Sequence, residues 1–146
     1  MKKLLIILLF LLSLISSTEA SPVLPARIGG SVIVDGTELT SLNAAGYVFR
    51  VTGRGGKGFS PPAEDRDGLN GAGKYIIDIP LFDPANQPEG VKPGSIVVIH
   101  AYKNGTEMKI IKPARGEIAV GKSGTITPVD IVISGPVLMK MEKNKR

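Results

Sequence analysis

The side chains best suited to chemistry lie in an acidic loop at residues 64–71, with the sequence EDRDGLNG. Clustered oxygen ligands suit Ca²⁺, and glycines permit the tight turns that bring such ligands together. The spacing departs from the EF-hand loop, because Leu69 stands where a third ligand belongs and no bidentate glutamate follows. We therefore interpret the segment as turn-forming, and keep calcium binding by Asp65, Asp67 and Asn70 as the alternative hypothesis.

The only histidine of the chain, His100, lies in the apolar run SIVVIHAY. A catalytic imidazole needs a nucleophile and an orienting acid within hydrogen-bonding distance. No recognisable nucleophile motif surrounds His100 in the sequence. We expect a strand residue there, and we predict no catalytic residue and no cofactor site.

Two further motifs resemble known functional sites only in their sequence pattern. Residues 53–58 (GRGGKG) are rich in glycine but lack the Gly-Lys-Ser/Thr ending and the following helix of a phosphate-binding loop. Asn104-Gly105-Thr106 satisfies the glycosylation sequon, yet Asn-Gly between apolar strands is also the strongest short hairpin signal. We interpret the first as a loop and the second as a turn.

Short β-rich segments separated by Gly/Pro turns must position these residues. The predicted strands cover residues 27–34, 47–52, 75–80, 95–102, 107–111, 117–120 and 125–133. No stretch has sustained helical periodicity, so the chain is predicted to be all-β, an antiparallel seven-stranded β-sandwich of immunoglobulin or transthyretin type. The loop at residues 53–73 exceeds normal connection lengths, which makes it either functional or mobile.

Alternation along the strands predicts which side chains form the core. A shift of one residue would instead turn the opposite face of a strand towards the core, and the sequence leaves that alternative open. The predicted core residues are Ile33, Phe49, Val51, Ile77, Ile79, Val97, Ile99, Ala101, Ile110, Ile131 and Ile133.

The first twenty residues have the order of a secretory signal peptide: a basic start, an apolar run from Leu4 to Ile15, and a small, polar end at Ala20. An uncleaved anchor is the alternative. The apolar run is short for a membrane span, so none is expected after cleavage. The predicted organisation is a signal peptide (1–20), an extended lead-in (21–27), the β-sandwich (28–134) and a basic tail (135–146), in a secreted, periplasmic or cell-surface protein.

Charge and cysteine content exclude several classes of function. The whole chain carries a net charge of +5, but residues 21–139 hold twelve bases against eleven acids. The basicity therefore belongs to the two ends, and a nucleic-acid groove is not expected. With no cysteine, the chain has no disulfide framework and no thiolate metal site.

The second half of the chain carries a family resemblance. Its motifs are GKYIIDIP at residues 73–80, then Asp83-Pro84, Glu89-Gly90, Pro93-Gly94, Ile96-Val97-Val98-Ile99 and Asn104-Gly105, with Thr127, Asp130 and Ile131 in the closing strand. This order resembles the carboxypeptidase regulatory-like (transthyretin-like) β-sandwich domains of secreted bacterial and archaeal proteins. Ser95 departs from it, since an aspartate is usual there, and the loop at 53–73 is unusually long.

The resemblance implies a domain without catalytic residues, used as a spacer, a stabilising module or a contact surface for protein or carbohydrate. It also implies that Val97, Ile99 and Ala101 point inward and His100 outward. We expect an exported, non-catalytic structural or binding module, with an unidentified protein or glycan partner. One alternative is the subunit of a surface assembly in which Ser21–Ala26 adds as a strand to a neighbour. A small secreted enzyme is another.

Overall fold

The structure is a computed structural model that describes residues 21–65 and 69–136. The predicted signal peptide, most of the predicted tail and the calcium candidate Asp67 lie outside these residues. Within the described ranges, no helix is long and apolar enough to cross a membrane.

The described residues form eleven strands and one short 3₁₀ helix. The strands are β1 (Ala26–Gly30), β2 (Val32–Val34), β3 (Thr37–Glu38), β4 (Tyr47–Gly53), β5 (Ala63–Asp65), β6 (Tyr75–Ile79), β7 (Ile96–Lys103), β8 (Thr106–Lys112), β9 (Glu117–Ala119), β10 (Ile126–Pro128) and β11 (Ile131–Pro136), and the 3₁₀ helix is Ala114–Gly116. The predicted all-β class is confirmed.

The strands make two sheets. The small sheet has the order β10-β1-β6, and the large sheet has the order β3-β2-β11-β8-β7-β4-β5, with β9 beside β7. Two of the pairings, β1 with β10 and β2 with β11, are parallel, while the others are antiparallel. The prediction of a purely antiparallel, seven-stranded arrangement is therefore wrong.

Two predicted strands, 27–34 and 125–133, each divide because the chain changes sheet within them. The crossings lie side by side: the Val129 N–H donates to the Gly29 carbonyl oxygen (2.9 Å), and the Ser31 N–H donates to Asp130 Oδ1 (2.9 Å). A Cβ atom on Gly30 would lie 2.2 Å from the Val129 carbonyl oxygen. Glycine is therefore what allows the two crossings to approach this closely.

Tyr75 anchors the small sheet to the same crossings. Its side chain is buried, and its hydroxyl donates to the Val129 carbonyl oxygen at 2.7 Å. Burial, and to a smaller extent the Asp130 carboxylate, raise the pKa of this phenol. The hydroxyl therefore stays protonated and serves as a hydrogen-bond donor.

Buried side chains from both sheets join one core. Nine of the predicted core residues are buried: Phe49, Val51, Ile77, Ile79, Val97, Ile99, Ala101, Ile131 and Ile133. Ile110 is half-buried and packs against the core. The prediction for β2 is wrong by one residue, because Val32 faces Ile131 of β11 in the core and Ile33 is left half-buried beside Val132.

Local turn chemistry agrees with the sequence. Asp35 and Gly36 have φ of 48° and 82°, and Asn104 and Gly105 have φ of 50° and 80°, the positive values that a type I′ hairpin turn requires. The loop at 53–73 is less irregular than predicted, because β5 lies inside it and pairs with β4.

Candidate functional site

The outer side of the small sheet carries a cleft. Arg27 on β1, and Ile76 and Asp78 on β6, alternate with fully buried neighbours and therefore point away from the core. A cavity of about 620 Å³ opens over these three side chains. This volume falls in the range of ligand-binding clefts.

Three segments outside the small sheet build the walls of the cleft: the lead-in, the residues next to β5, and the start of the loop after β6. Prolines dominate these walls, and a proline offers a rigid apolar surface without an N–H group that needs a partner. The wall residues are Val23 and Pro25, Pro61 and Pro62, and Pro80 and Leu81.

Side-chain contacts join the two loops beside the cleft. Gln87, which also lines the cleft, donates from Nε2 to the Ser60 carbonyl oxygen at 3.3 Å. Lys57 forms an ion pair with Glu89. These two contacts join the long loop before β6 to the loop after it.

Asp83 shapes the loop after β6. Its Oδ1 accepts hydrogen bonds from the backbone N–H groups of Ala85 (3.0 Å) and Asn86 (3.3 Å), and its Oδ2 accepts one from Asn86 Nδ2 (3.0 Å). The Asn86 side chain, followed by the Ala85 N–H, lowers the pKa of the Asp83 carboxyl, and the Val23 N–H adds to the effect. A single carboxylate therefore organises the start of this loop.

An exposed ion pair occupies the floor of the cleft. Arg27 and Asp78 are cross-strand neighbours, and the Arg27 Nε donates to Asp78 Oδ1 at 2.6 Å. Their side chains are 50% and 54% exposed, so the remaining polar atoms are accessible to solvent or to a ligand.

Apolar side chains surround this pair. Ile126 lies opposite Arg27 on β10, and Leu24 lies beside Arg27 in a smaller hollow. Both are exposed, as are Val23 and Ile76. Exposed apolar side chains grouped in this way mark interaction surfaces more often than isolated ones do. We call this surface the apolar face, defined by Val23, Leu24, Ile76 and Ile126 around Arg27 and Asp78.

Polar side chains from β4, β5, β7 and β8 form a cluster on the outer side of the large sheet. Arg50 on β4 lies between Glu64 on β5 and His100 on β7. Its Nε donates to Glu64 Oε2 at 2.9 Å, and the Glu64 side chain is only 12% exposed. Glu64 also lines the edge of the cleft, so the two outer surfaces meet at β5.

His100 is held between two diagonal neighbours on adjacent strands. Its Nε2 lies 3.1 Å from Thr52 Oγ1, and its Nδ1 lies 2.8 Å from Glu107 Oε1. The neutral tautomer with its proton on Nδ1 satisfies both contacts: Nδ1 donates to Glu107 and Nε2 accepts from Thr52. Sequence reasoning missed these partners, because only the strand register brings them to the imidazole.

Tyr102 completes this surface. The Arg50 guanidinium carbon lies 5.7 Å from the centroid of its ring, and the His100 ring lies 6.4 Å away at an angle of 24°. Burial raises the pKa of the Tyr102 phenol, the Glu107 carboxylate adds to this rise, and Arg50 opposes it. We call the set the polar ladder, defined by Arg50, Thr52, Glu64, His100, Tyr102 and Glu107.

The structure describes two of the three calcium candidates. Asp65 Oδ2 accepts a hydrogen bond from the Ile76 N–H (3.1 Å) and so joins β5 to β6. Asn70 Oδ1 accepts from the N–H groups of Ala72 and Lys74, both at 3.0 Å, and closes a turn. Asp67 lies outside the described residues, so calcium binding stays a prediction. In the part of the chain that is described, no group of three His, Asp or Glu side chains is placed to hold a metal ion.

The glycine-rich run at 53–58 forms a tight return after β4, in which the Gly53 N–H donates to the Lys57 carbonyl oxygen at 2.7 Å. Asn104 occupies the hairpin turn between β7 and β8. These placements agree with the loop and turn interpretations. Comparison of the chain with protein-family models, curated proteins and solved structures found no match.

Proposed function

We propose that the protein is an exported, non-catalytic binding module of transthyretin-like type, which contacts a partner macromolecule through the apolar face. It works at the cell envelope or outside the cell. The observation that carries the proposal is the cleft with its exposed apolar surround on the small sheet.

Export and fold type rest on different grounds. The sequence of residues 1–20 supports export. The transthyretin-like type is supported by the family resemblance, by two sheets that share one core and by the Asn-Gly hairpin. The parallel pairings are a departure from the expected arrangement.

A substitution on the apolar face tests this function, and the chain offers a matched control. Ile76 is 44% exposed on the small sheet, and Ile111 is 53% exposed on the large sheet. The immobilised protein is exposed to medium and envelope extract from its own source. We expect ligand to be retained by the unaltered protein and by Ile111→Glu, and not by Ile76→Glu. Equal retention by both variants contradicts the proposal.

An acyl-transfer enzyme is a second candidate, favoured by one observation. Thr52, His100 and Glu107 are joined in the order hydroxyl, imidazole, carboxylate, which is the order of a nucleophile, a base and an orienting acid. Against this, backbone groups next to Thr52 and His100 engage in the pairing of β4 with β7, and stabilising an oxyanion needs donors that are available.

Hydrolysis of p-nitrophenyl acetate distinguishes the two functions. The binding module predicts no hydrolysis above the uncatalysed rate. The enzyme predicts hydrolysis that is abolished by Thr52→Val and by His100→Gln.

Assembly by strand addition is the remaining alternative. The lead-in contacts its own chain: the Leu24 carbonyl oxygen accepts from Ser123 Oγ (2.9 Å), and the Pro25 carbonyl oxygen accepts from the Gly124 N–H (3.1 Å). Exchange into a neighbour requires both bonds to break. Light scattering over a range of protein concentrations tests this alternative, which predicts a rise in mass that the binding module does not require.

A further inference from the structure

Resting on the proposed function, we infer that the occupant of the cleft is an extended, apolar segment of a partner polypeptide. The backbone N–H and C=O of one residue of this segment lie on the Arg27–Asp78 pair, and the apolar side chains of the segment lie against the proline walls.

The chemistry of the walls favours a polypeptide over a glycan. None of the described residues that line the cleft is aromatic, whereas a sugar ring is usually recognised by packing on an aromatic side chain. Prolines and aliphatic side chains instead offer contact area to aliphatic side chains, and they lose little conformational entropy when something binds.

The floor pair matches the backbone N–H and C=O of one residue in an extended chain. The Arg27 Nε is bonded to Asp78 Oδ1, and both side chains are about half exposed. The guanidinium therefore retains accessible N–H donors at its terminal nitrogens, and Asp78 retains its second carboxylate oxygen. In an extended segment the N–H and C=O of one residue point to the same side. The carbonyl accepts from Arg27 and the N–H donates to Asp78, so one residue of the segment satisfies both charged groups.

The shape of the cleft favours a segment over a second copy of the chain. A two-fold contact joins the same patch on two copies, so a concave patch fits itself only if a convex part of the surface enters it. A cavity of about 620 Å³, flanked by two loops that the Gln87–Ser60 and Lys57–Glu89 contacts join, is concave, which suits a protruding segment.

A phage-displayed library of random heptapeptides tests this inference. The library is selected on the protein purified after expression of the full chain, and the enriched peptides are then synthesised and titrated by calorimetry. We expect aliphatic peptides to be enriched. We expect their affinity to fall about tenfold or more in Ile76→Glu and in Asp78→Ala, and to stay unchanged in Ile111→Glu. Circular dichroism shows which variants keep the fold.

The other outcomes separate the inference from the proposed function. An array of immobilised glycans, recognised by the unaltered protein and lost in Ile76→Glu, overturns the peptide inference and leaves the binding module. A dimer that Ile76→Glu abolishes, without enrichment of peptides, also overturns the peptide inference and leaves the binding module. Peptides that bind all the variants equally well overturn the inference, because their site is then elsewhere. If no probe depends on the cleft, both the inference and the proposed function fall.

Discussion

The small sheet carries the Arg27–Asp78 pair and the large sheet carries the Arg50–Glu64 pair, and the two pairs have opposite surroundings. Both members of the first are about half exposed, with apolar side chains around them. In the second, Glu64 is only 12% exposed, and Arg50 also lies against the Tyr102 ring.

The same difference separates the polar ladder from the apolar face. In the polar ladder, the functional groups bond to one another across neighbouring strands, as His100 does with Thr52 and Glu107. On the apolar face, Ile76 and Ile126 remain exposed. Moving apolar area out of water is favourable by about 25 cal/mol per Å². The apolar face therefore has stabilisation to gain from a partner, whereas the polar ladder already obtains its stabilisation within the chain.

The largest effect is expected at the crossings that connect the two sheets. Gly30→Ala places a Cβ atom against the Val129 carbonyl oxygen, at a distance of 2.2 Å before relaxation. We expect the free energy of unfolding to fall by about 3 kcal/mol in urea denaturation. The control is Gly58→Ala, since a Cβ atom there meets nothing within 4 Å; its effect should stay within about 1 kcal/mol. Equal losses in the two variants contradict the role of the crossings.

The two arginine–carboxylate pairs provide the next comparison. Arg50→Leu removes the guanidinium bonded to the mostly buried Glu64 carboxylate, and we expect a loss of about 2 kcal/mol. Arg27→Leu breaks an exposed pair, and we expect a change within about 0.5 kcal/mol. Urea denaturation at neutral pH measures both. If Arg27→Leu lowers the free energy of unfolding more than Arg50→Leu does, the contrast drawn between the two pairs is contradicted.

A smaller effect on stability, which depends on pH, is expected from Asp83 on the cleft side of the molecule. The pKa of its carboxyl is lowered in the folded chain, so its ionised form favours folding at pH values above the unfolded pKa of about 3.9. That contribution is lost as the pH falls through the lower, folded pKa. We expect Asp83→Asn to be less stable than the unaltered protein at neutral pH, and the difference to shrink below about pH 4. A difference that is constant across this range of pH contradicts the lowered pKa.

Local patterns predicted much of the fold. Alternation placed Phe49 and Val51 in the core, and Asn-Gly gave the hairpin between β7 and β8, because both depend only on neighbouring residues. The sheet changes at Gly30 and Val129 depend on contacts between segments about a hundred residues apart, and no local pattern carries that information. The short β5 follows two prolines, and its Ala-Glu-Asp sequence has little strand preference, so pairing with β4 determines it.

The candidate site was harder to predict, because its parts are far apart in the chain. The cleft combines Val23 of the lead-in, Pro61 of the long loop and Ile76 of β6. The partners of His100 depend on the register of three strands. The length of the loop at 53–73 predicted that it is either functional or mobile, and the site hypothesis there concerned its acidic residues rather than its prolines.

Photo-crosslinking in cells of the source that express the full chain tests the central claim most directly. The photoreactive residue p-benzoylphenylalanine replaces Ile76 on the apolar face or Ile111 on the large sheet, two positions of similar exposure. We predict a discrete cross-linked adduct from position 76 and none from position 111. An adduct from position 111 alone, or equal adducts from both positions, contradicts the assignment of the apolar face as the contact surface.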